Sequence, residues 1–256
     1  MTDALRAEWT KLRTSPGTAW ILLAIVVLTA GLSTLVTGTI HVSGQSMEDP
    51  TKISLIGVDL GQAIVAVLGV LVISEEYGTR MLRTTLAAIP RRMTVLATKA
   101  LNLIVLSAVA GALGVAGGIL AGRLLLSHAG LGPANGYPLI SLGNGPTLRA
   151  AAGSVIYLVL IALLALGIAA AIRDTAVSIG VVLALLYVFP ILAATVQGSW
   201  HRHLEQIGPM TAGMSIQSTT GLSSLPISPW AGLGVLAAWS AGAFLIGGCA
   251  LQFRNS

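Results

Sequence analysis

Apolar residues fall along this chain in long runs, and short polar stretches separate the runs. A helix needs about 20 predominantly apolar residues to cross the hydrocarbon core of a bilayer. Six runs approach that length, at 18–39, 57–74, 94–126, 148–172, 177–196 and 230–251. The third is longer than a crossing requires, so it is expected to tilt or to project beyond the bilayer. The fourth and fifth are divided by little more than Arg173-Asp174-Thr175, which reads as a tight polar turn. The pattern predicts an all-α integral membrane protein of six transmembrane helices, built as a single transmembrane domain over residues 1–256.

Two other segments carry a different periodicity. In residues 1–17, Leu5, Trp9 and Leu12 recur at i, i+4, i+7 and make one apolar face, with Glu8 and the basic Arg6, Lys11 and Arg13 around the rest. This suits an N-terminal helix lying in the membrane interface with Trp9 at headgroup level. Pro16-Gly17 breaks it before the first span. That first apolar run exceeds the 7–15 residues usual for a signal peptide and no clear cleavage motif follows it, so it is read as an uncleaved helix. The second segment, 75–92, opens on Glu75 and Glu76 and closes on Pro90, Arg91 and Arg92. Leu82, Leu86 and Ile89 again fall at i, i+4, i+7, Arg80, Thr84 and Ala87 take other faces, and Pro90 ends the helix. A short amphipathic helix of this kind lies along a membrane or docks in a partner's groove.

The connections at the other ends of the spans differ in length. Residues 41–56 read as a short polar loop. Residues 127–147, rich in Gly, Pro and Asn, read as irregular. Residues 197–229 are the longest and moderately apolar, and part of them is expected to form short helices dipping toward the bilayer under the cover of neighbours. Within the third span, Ala110, Gly114, Gly118 and Gly122 place a small residue at every fourth position, a stripe that admits a neighbouring helix closely.

Composition sharpens this picture. Hydrophobic residues make up 55% of the chain and charged residues 9%, against roughly 25% charged in soluble domains. The mean hydropathy of +0.87 agrees. The formal net charge of +5 does not mark a nucleic-acid binder: the basic residues are scattered between apolar runs, and there are three Phe and four Tyr to stack on bases. It marks topology instead. With the N-terminus inside, the cytoplasmic set is Arg6, Lys11, Arg13, Arg80, Arg83, Arg91, Arg92, Lys99, Arg173 and Arg254, and the outer set is Lys52, Arg123, Arg149 and Arg202. The excess is on the side that the positive-inside rule requires, so both termini are expected in the cytoplasm. Arg outnumbers Lys eleven to three, and Ala, Gly and Leu dominate, as in proteins of GC-rich bacteria; a bacterial cell membrane is the expected location. The single cysteine, Cys249, is read as a small packing residue, and no disulfide or metal site is expected.

Three chemistries can be set against these residues. Glu75-Glu76-Tyr77-Gly78-Thr79-Arg80 spells the E-E-x-x-x-R of intramembrane prenyl-peptide proteases, but His41, His128, His201 and His203 all fall on the opposite side in this topology. In 201–205 two histidines stand at i, i+2 and no third strong ligand is near, so a solvated loop is expected there. An ion-coupled secondary transporter needs titratable groups inside the membrane. Asp59 and Arg123, near the rims of their spans, are the nearest to a pair. That class, or a non-transport scaffold or sensor, is the alternative.

The order Glu76, Gly78-Thr79, amphipathic turns from Leu82 to Ile89, Pro90, Arg91-Arg92 and then Lys99 resembles the permease subunits of ABC type-2 exporters. Glu8-Trp9-Thr10-Lys11-Leu12 followed by Ser15-Pro16 is similar to the actinobacterial members. The resemblance implies a permease that forms the substrate pathway with a second, identical or paralogous permease chain. It implies a separate ABC ATP-binding subunit, which holds ATP and Mg; this chain has no G-x-x-x-x-G-K-[ST] phosphate loop, and no cofactor or catalysis of its own is expected. It also assigns roles. Residues 75–92, with Glu75, Glu76, Gly78, Thr79, Arg80, Leu82, Arg83, Leu86, Ile89, Pro90 and Arg91, become the coupling loop, and the helix carrying Leu5, Glu8, Trp9, Lys11 and Leu12 a second contact with the ATPase. With few charges in the spans, the cargo is expected to be apolar or amphipathic. Membrane lipid is the remaining partner, and nucleic acid is not expected.

Overall fold

The computed structural model describes residues 16–39, 49–78, 92–126, 140–196 and 199–253. These are almost entirely helical, with no strand among them. Helix α1 spans Pro16–Thr39, α2 Pro50–Ser54, α3 Val58–Gly78, α4 Arg92–Leu125 and α5 Gly145–Ile172. Then come α6 (Thr175–Leu183), a π-helical segment (Ala184–Val188) and α7 (Phe189–Thr195), which run on as one rod. Two short helices, α8 (Ser199–Ile207) and α9 (Pro209–Met214), precede α10 (Pro229–Phe253). Among the described residues, five apolar helical stretches are long enough to cross a membrane: Gly17–Thr39, Val95–Leu125, Gly145–Ile172, Thr175–Thr195 and Pro229–Leu251. The apolar part of α3, Val58–Ser74, is shorter, because Asp59 stands at its start and Glu75-Glu76 follow its end. Of the six long spans expected, five reach spanning length among the described residues, and the remaining run forms a shorter apolar helix.

Helix α5 is the centre of the bundle. More than half of its apolar window, 56%, is buried, against 17% for α1 and 22% for the α6–α7 rod. It packs against α3, α4 and α10, and Tyr157, Leu158, Ile161, Leu164 and Leu166 are fully enclosed. Small residues set the closest approach. A Cβ built on Gly167 would stand 2.5 Å from the Ala243 carbonyl carbon, and one on Gly247 2.5 Å from the Gly167 carbonyl oxygen. Only glycine lets the α5 and α10 backbones come this near. The 34 residues of α4 amount to about 50 Å of helix, well beyond a hydrocarbon core of about 30 Å.

Helix α1 is arranged with its polar side inward. Thr29, Ser33 and Thr37 are each about 1% exposed, whereas Trp20, Leu23, Val27 and Leu35 are open. Such a face is at home in lipid, where apolar side chains need no burial. Thr37 Oγ1 donates to the Ser33 carbonyl at 2.7 Å, so its polar atom is satisfied within the helix. Ser33 Oγ accepts from the Gly57 N–H at 3.1 Å. The stripe on α4 meets this face: a Cβ on Gly114 would lie 2.9 Å from Thr29 Cβ, and one on Gly118 would lie 2.6 Å from the Ser54 carbonyl oxygen and 2.9 Å from Ser33 Oγ. Gly122 lies against Ser54, and Ala110 is buried in the same core.

The turn at 173–174 has a defined chemistry. Arg173 closes α5 in the left-handed region, at φ 64°, and its guanidinium donates to the Ala250 carbonyl of α10 at 3.0 Å. Asp174 caps α6 through the Val177 N–H at 2.8 Å.

Four expectations are corrected here. Residues 41–56 are not simply a polar loop: Pro50–Ser54 is a helix whose Pro50, Thr51 and Ser54 are buried, because Asp49 caps it and Pro50 presets its first turn. Residues 201–205 lie in helix α8 and not in a loop; His201 Nε2 stands 3.4 Å from Glu205 Oε1 one turn on. Cys249 is exposed, because α10 is apolar all round and hydrophobicity alone does not say which of its sides meets protein. The fifth run is not a regular α-helix. Pro190 has no N–H to offer the Leu186 carbonyl, and the preceding turn widens so that the Phe189 N–H reaches Ala184 O.

Candidate functional site

Polar side chains collect at two levels of the bundle, one at each end. At the end that carries Arg92 and Arg173, Lys99 of α4 is only 2% exposed. Its ammonium donates to the Val72 carbonyl of α3 at 2.9 Å. Val72 lies one turn before Glu76. A buried ammonium is tolerated only where oxygen atoms replace its hydration shell. This contact therefore ties the end of α3 to the start of α4, the two helices that residues 79–91 connect in sequence.

Of the loop itself, Glu75, Glu76 and Gly78 fall in the last turns of α3, where the backbone is described. Thr79, Arg80, Leu82, Arg83, Leu86, Ile89, Pro90 and Arg91 lie outside the described residues, as do Leu5, Glu8, Trp9, Lys11 and Leu12. Helix α3 runs through Gly78, four residues further than the span read from the sequence.

At the opposite end, α3 carries Asp59 and Gln62 into the bundle. Gln62 is fully buried. Its amide oxygen accepts from the Tyr157 hydroxyl of α5, and its Nε2 lies 3.4 Å from Met210 Sδ of α9. The Tyr187 hydroxyl donates to the Asp59 carbonyl. The widened π turn sets Tyr187 at this position. Gln62 thus ties α5 and α9 to the first turns of α3, and Tyr187 ties the π segment to the same turns.

Asp49 gathers a second set. Its carboxylate caps α2 through the N–H groups of Thr51 (3.1 Å) and Lys52 (3.3 Å). It also accepts from the Thr219 N–H, from Thr219 Oγ1 at 2.7 Å and from the Thr220 N–H at 3.0 Å. Arg149 of α5 donates to the Ser218 carbonyl at 2.6 Å, and Trp239 Nε1 of α10 to the Ile207 carbonyl at 2.9 Å. The long segment after α7 is thereby sewn across this end, with Ala212, Gly213, Ser215, Ile216 and Gln217 buried beneath it. Arg123 is exposed on α4, and the charge that acts on Asp59 is Lys52.

Sequence reasoning missed Gln62, Tyr157, Tyr187 and Asp49. For Asp49 the signal was present, since Asp-Pro is an N-cap followed by a proline at the first helical position. For the other three there was none: a single glutamine or tyrosine in an apolar run does not announce its partners. No group of three or more His, Cys, Asp or Glu side chains suited to a metal occurs among the described residues.

No curated protein matches the chain. A family model described as ABC-2 family transporter protein matches residues 4–191.

Proposed function

Because the chain belongs to the ABC-2 family of transporter proteins, a family of membrane-spanning permeases, we propose that it is the permease subunit of an ATP-driven exporter. In this reading α1, α3, α4, α5, the α6–α7 rod and α10 are six spans, and the end carrying Lys99 and Arg173 faces the cytoplasm of a bacterial cell. Residues 75–92 form a coupling helix that docks on a separate ATP-binding subunit, the site of ATP and Mg binding and of hydrolysis. The helix with Leu5, Trp9 and Leu12 is a second contact. A second permease chain, identical or paralogous, completes the pathway.

The observation that carries the proposal is the family match over residues 4–191, which begins in the N-terminal segment, takes in residues 75–92 and ends within the fifth apolar run. The Lys99–Val72 bond supports the mechanism. A coupling element transmits motion only if the helices at its two ends move as one, and a buried charge bonded across α3 and α4 resists their separation. Gln62 and Asp49 give the opposite end comparable cross-links, so displacement at one end is carried to the other by helices and is not lost in loops.

The test is affinity capture of the chain from its native membrane, followed by identification of the copurified chains and assay of ATP hydrolysis in nanodiscs. A stoichiometric ATP-binding subunit with nucleotide-dependent transport is expected. A chain that copurifies without any ATPase, and moves substrate on an ion gradient, overturns the proposal.

A further inference from the structure

Gln217 is 3% exposed, and its Nε2 has no hydrogen-bond partner. An amide left unpaired in a protein interior costs about 1–3 kcal/mol, so such groups call for an explanation. Gln217 lines a cavity of about 270 Å³ between α2, the start of α3 and the 3₁₀ turn after α9. The other walls are Asp49, Lys52, Ile53, Ile56 and Asp59. Asp49 has no capacity to spare, since five donors already occupy its carboxylate. Asp59 and Lys52 differ from it. They attract one another electrostatically, yet make no direct ion pair with each other. A carboxylate and an ammonium thus face each other across a gap, with an unused amide N–H₂ beside them.

We propose that this cavity binds a small zwitterion bearing a primary ammonium and an anionic oxygen group, of the phosphoethanolamine type. The ammonium sits on the Asp59 carboxylate. The anionic oxygens take the Lys52 ammonium and the free Gln217 Nε2–H₂, and the short carbon linker lies on Ile53 and Ile56. Each polar group of the cavity is then matched by charge and by hydrogen-bonding sense. The ammonium is a primary one for two reasons. Asp59 needs N–H donors, which a quaternary ammonium lacks. Quaternary ammonium sites are built from aromatic rings, and none lines this cavity. The volume is several times the roughly 30 Å³ share of one water, so a single bridging water does not fill it. Tyr187 holds the Asp59 backbone in place, so an occupant would brace the first turns of α3 against the segment over them. The same zwitterion occurs free in solution and as the headgroup of a bilayer lipid.

The experiment uses the full-length chain in phosphatidylcholine nanodiscs. In one arm free O-phosphoethanolamine or phosphocholine is titrated by calorimetry. In the other, part of the phosphatidylcholine is replaced by phosphatidylethanolamine and the thermal unfolding midpoint is read. Preference for phosphoethanolamine over phosphocholine by at least about tenfold, or a midpoint raised by the ethanolamine lipid, supports the site. The first result assigns it to a soluble ligand and the second to a lipid headgroup. In either arm Asp59→Asn and Lys52→Met should weaken the effect at least about tenfold. Lys52 is exposed, so its variant tests recognition without disturbing the core. Absence of binding in both arms overturns the site, as does binding that both variants leave unchanged. Neither readout involves ATP, so failure here is distinct from failure of the exporter reading.

Discussion

Gly118 occupies a position that no larger residue fits without displacement of backbone. The atom nearest to a Cβ there is the Ser54 carbonyl oxygen, and the next is Ser33 Oγ. Overpacking of a tight site costs about 1–3 kcal/mol, and more where backbone must give way. Gly118→Leu is therefore expected to lower the thermal unfolding midpoint clearly in nanodiscs. Gly234→Leu on α10, where nothing lies within 4 Å, is expected to leave it nearly unchanged. Equal effects from the two substitutions would contradict the packing described for α1, α2 and α4. A related argument applies to Tyr187, whose hydroxyl joins the π turn to the Asp59 carbonyl. Tyr187→Phe keeps the ring and removes the bond, and a loss of about 1 kcal/mol in stability is expected. An unchanged midpoint by the same measurement would mean that the hydroxyl is solvated and not engaged.

At the scale of elements, the segment 75–92 connects α3 and α4 in sequence, and the Lys99–Val72 bond ties those two helices. Leu82, Leu86 and Ile89 share one helical face by their spacing. If that face fills a groove on an ATP-binding subunit, one charge at its centre should uncouple the two chains. Leu86→Asp is thus expected to abolish substrate-stimulated ATP hydrolysis by the reconstituted complex, while the amount of folded permease in the membrane stays the same. Hydrolysis at the normal rate would reduce this segment to a basic anchor. The element after α7 follows a different logic. It is held both by bonds to distant residues, Asp49 to Thr219 and Trp239 to Ile207, and by Met210, Met214 and Ile216 packed against the core.

At the scale of the whole molecule, charge is divided between the two ends. Lys99 and Arg173 mark one, and Asp49, Lys52, Asp59 and Arg149 the other. The proposed orientation puts 75–92 inside the cell and 197–229 outside. In a Cys249→Ala background, required because Cys249 is exposed, cysteines at Arg83 and Ser223 should react from opposite sides. An impermeant maleimide applied to intact cells should label the Ser223 position, and the Arg83 position only after permeabilisation. Labelling of both in intact cells would dismiss the six-span arrangement.

What the sequence by itself determined is the material of this protein: helix rather than strand, lipid rather than water as solvent, the approximate ends of the long apolar helices, and the turn at Arg173-Asp174. Those properties follow from hydropathy summed over a window and from local capping, and both survive without knowledge of any neighbour. The family was legible too, through Glu76, Gly78-Thr79, Pro90 and Lys99 in order. The tertiary structure alone decided which side of each helix is inside. In water an amphipathic stripe would have announced it. In lipid the outer face is as apolar as the inner, so Thr29 and Ser33 turned inward and Cys249 turned outward without any periodic signal. The bond of Gln62 to Tyr157, the burial of Pro50–Ser54 and the cavity under Gln217 all depend on residues between 24 and 170 positions apart. Contacts of that kind are made by the packing of helices against one another, and no local pattern in the chain encodes them.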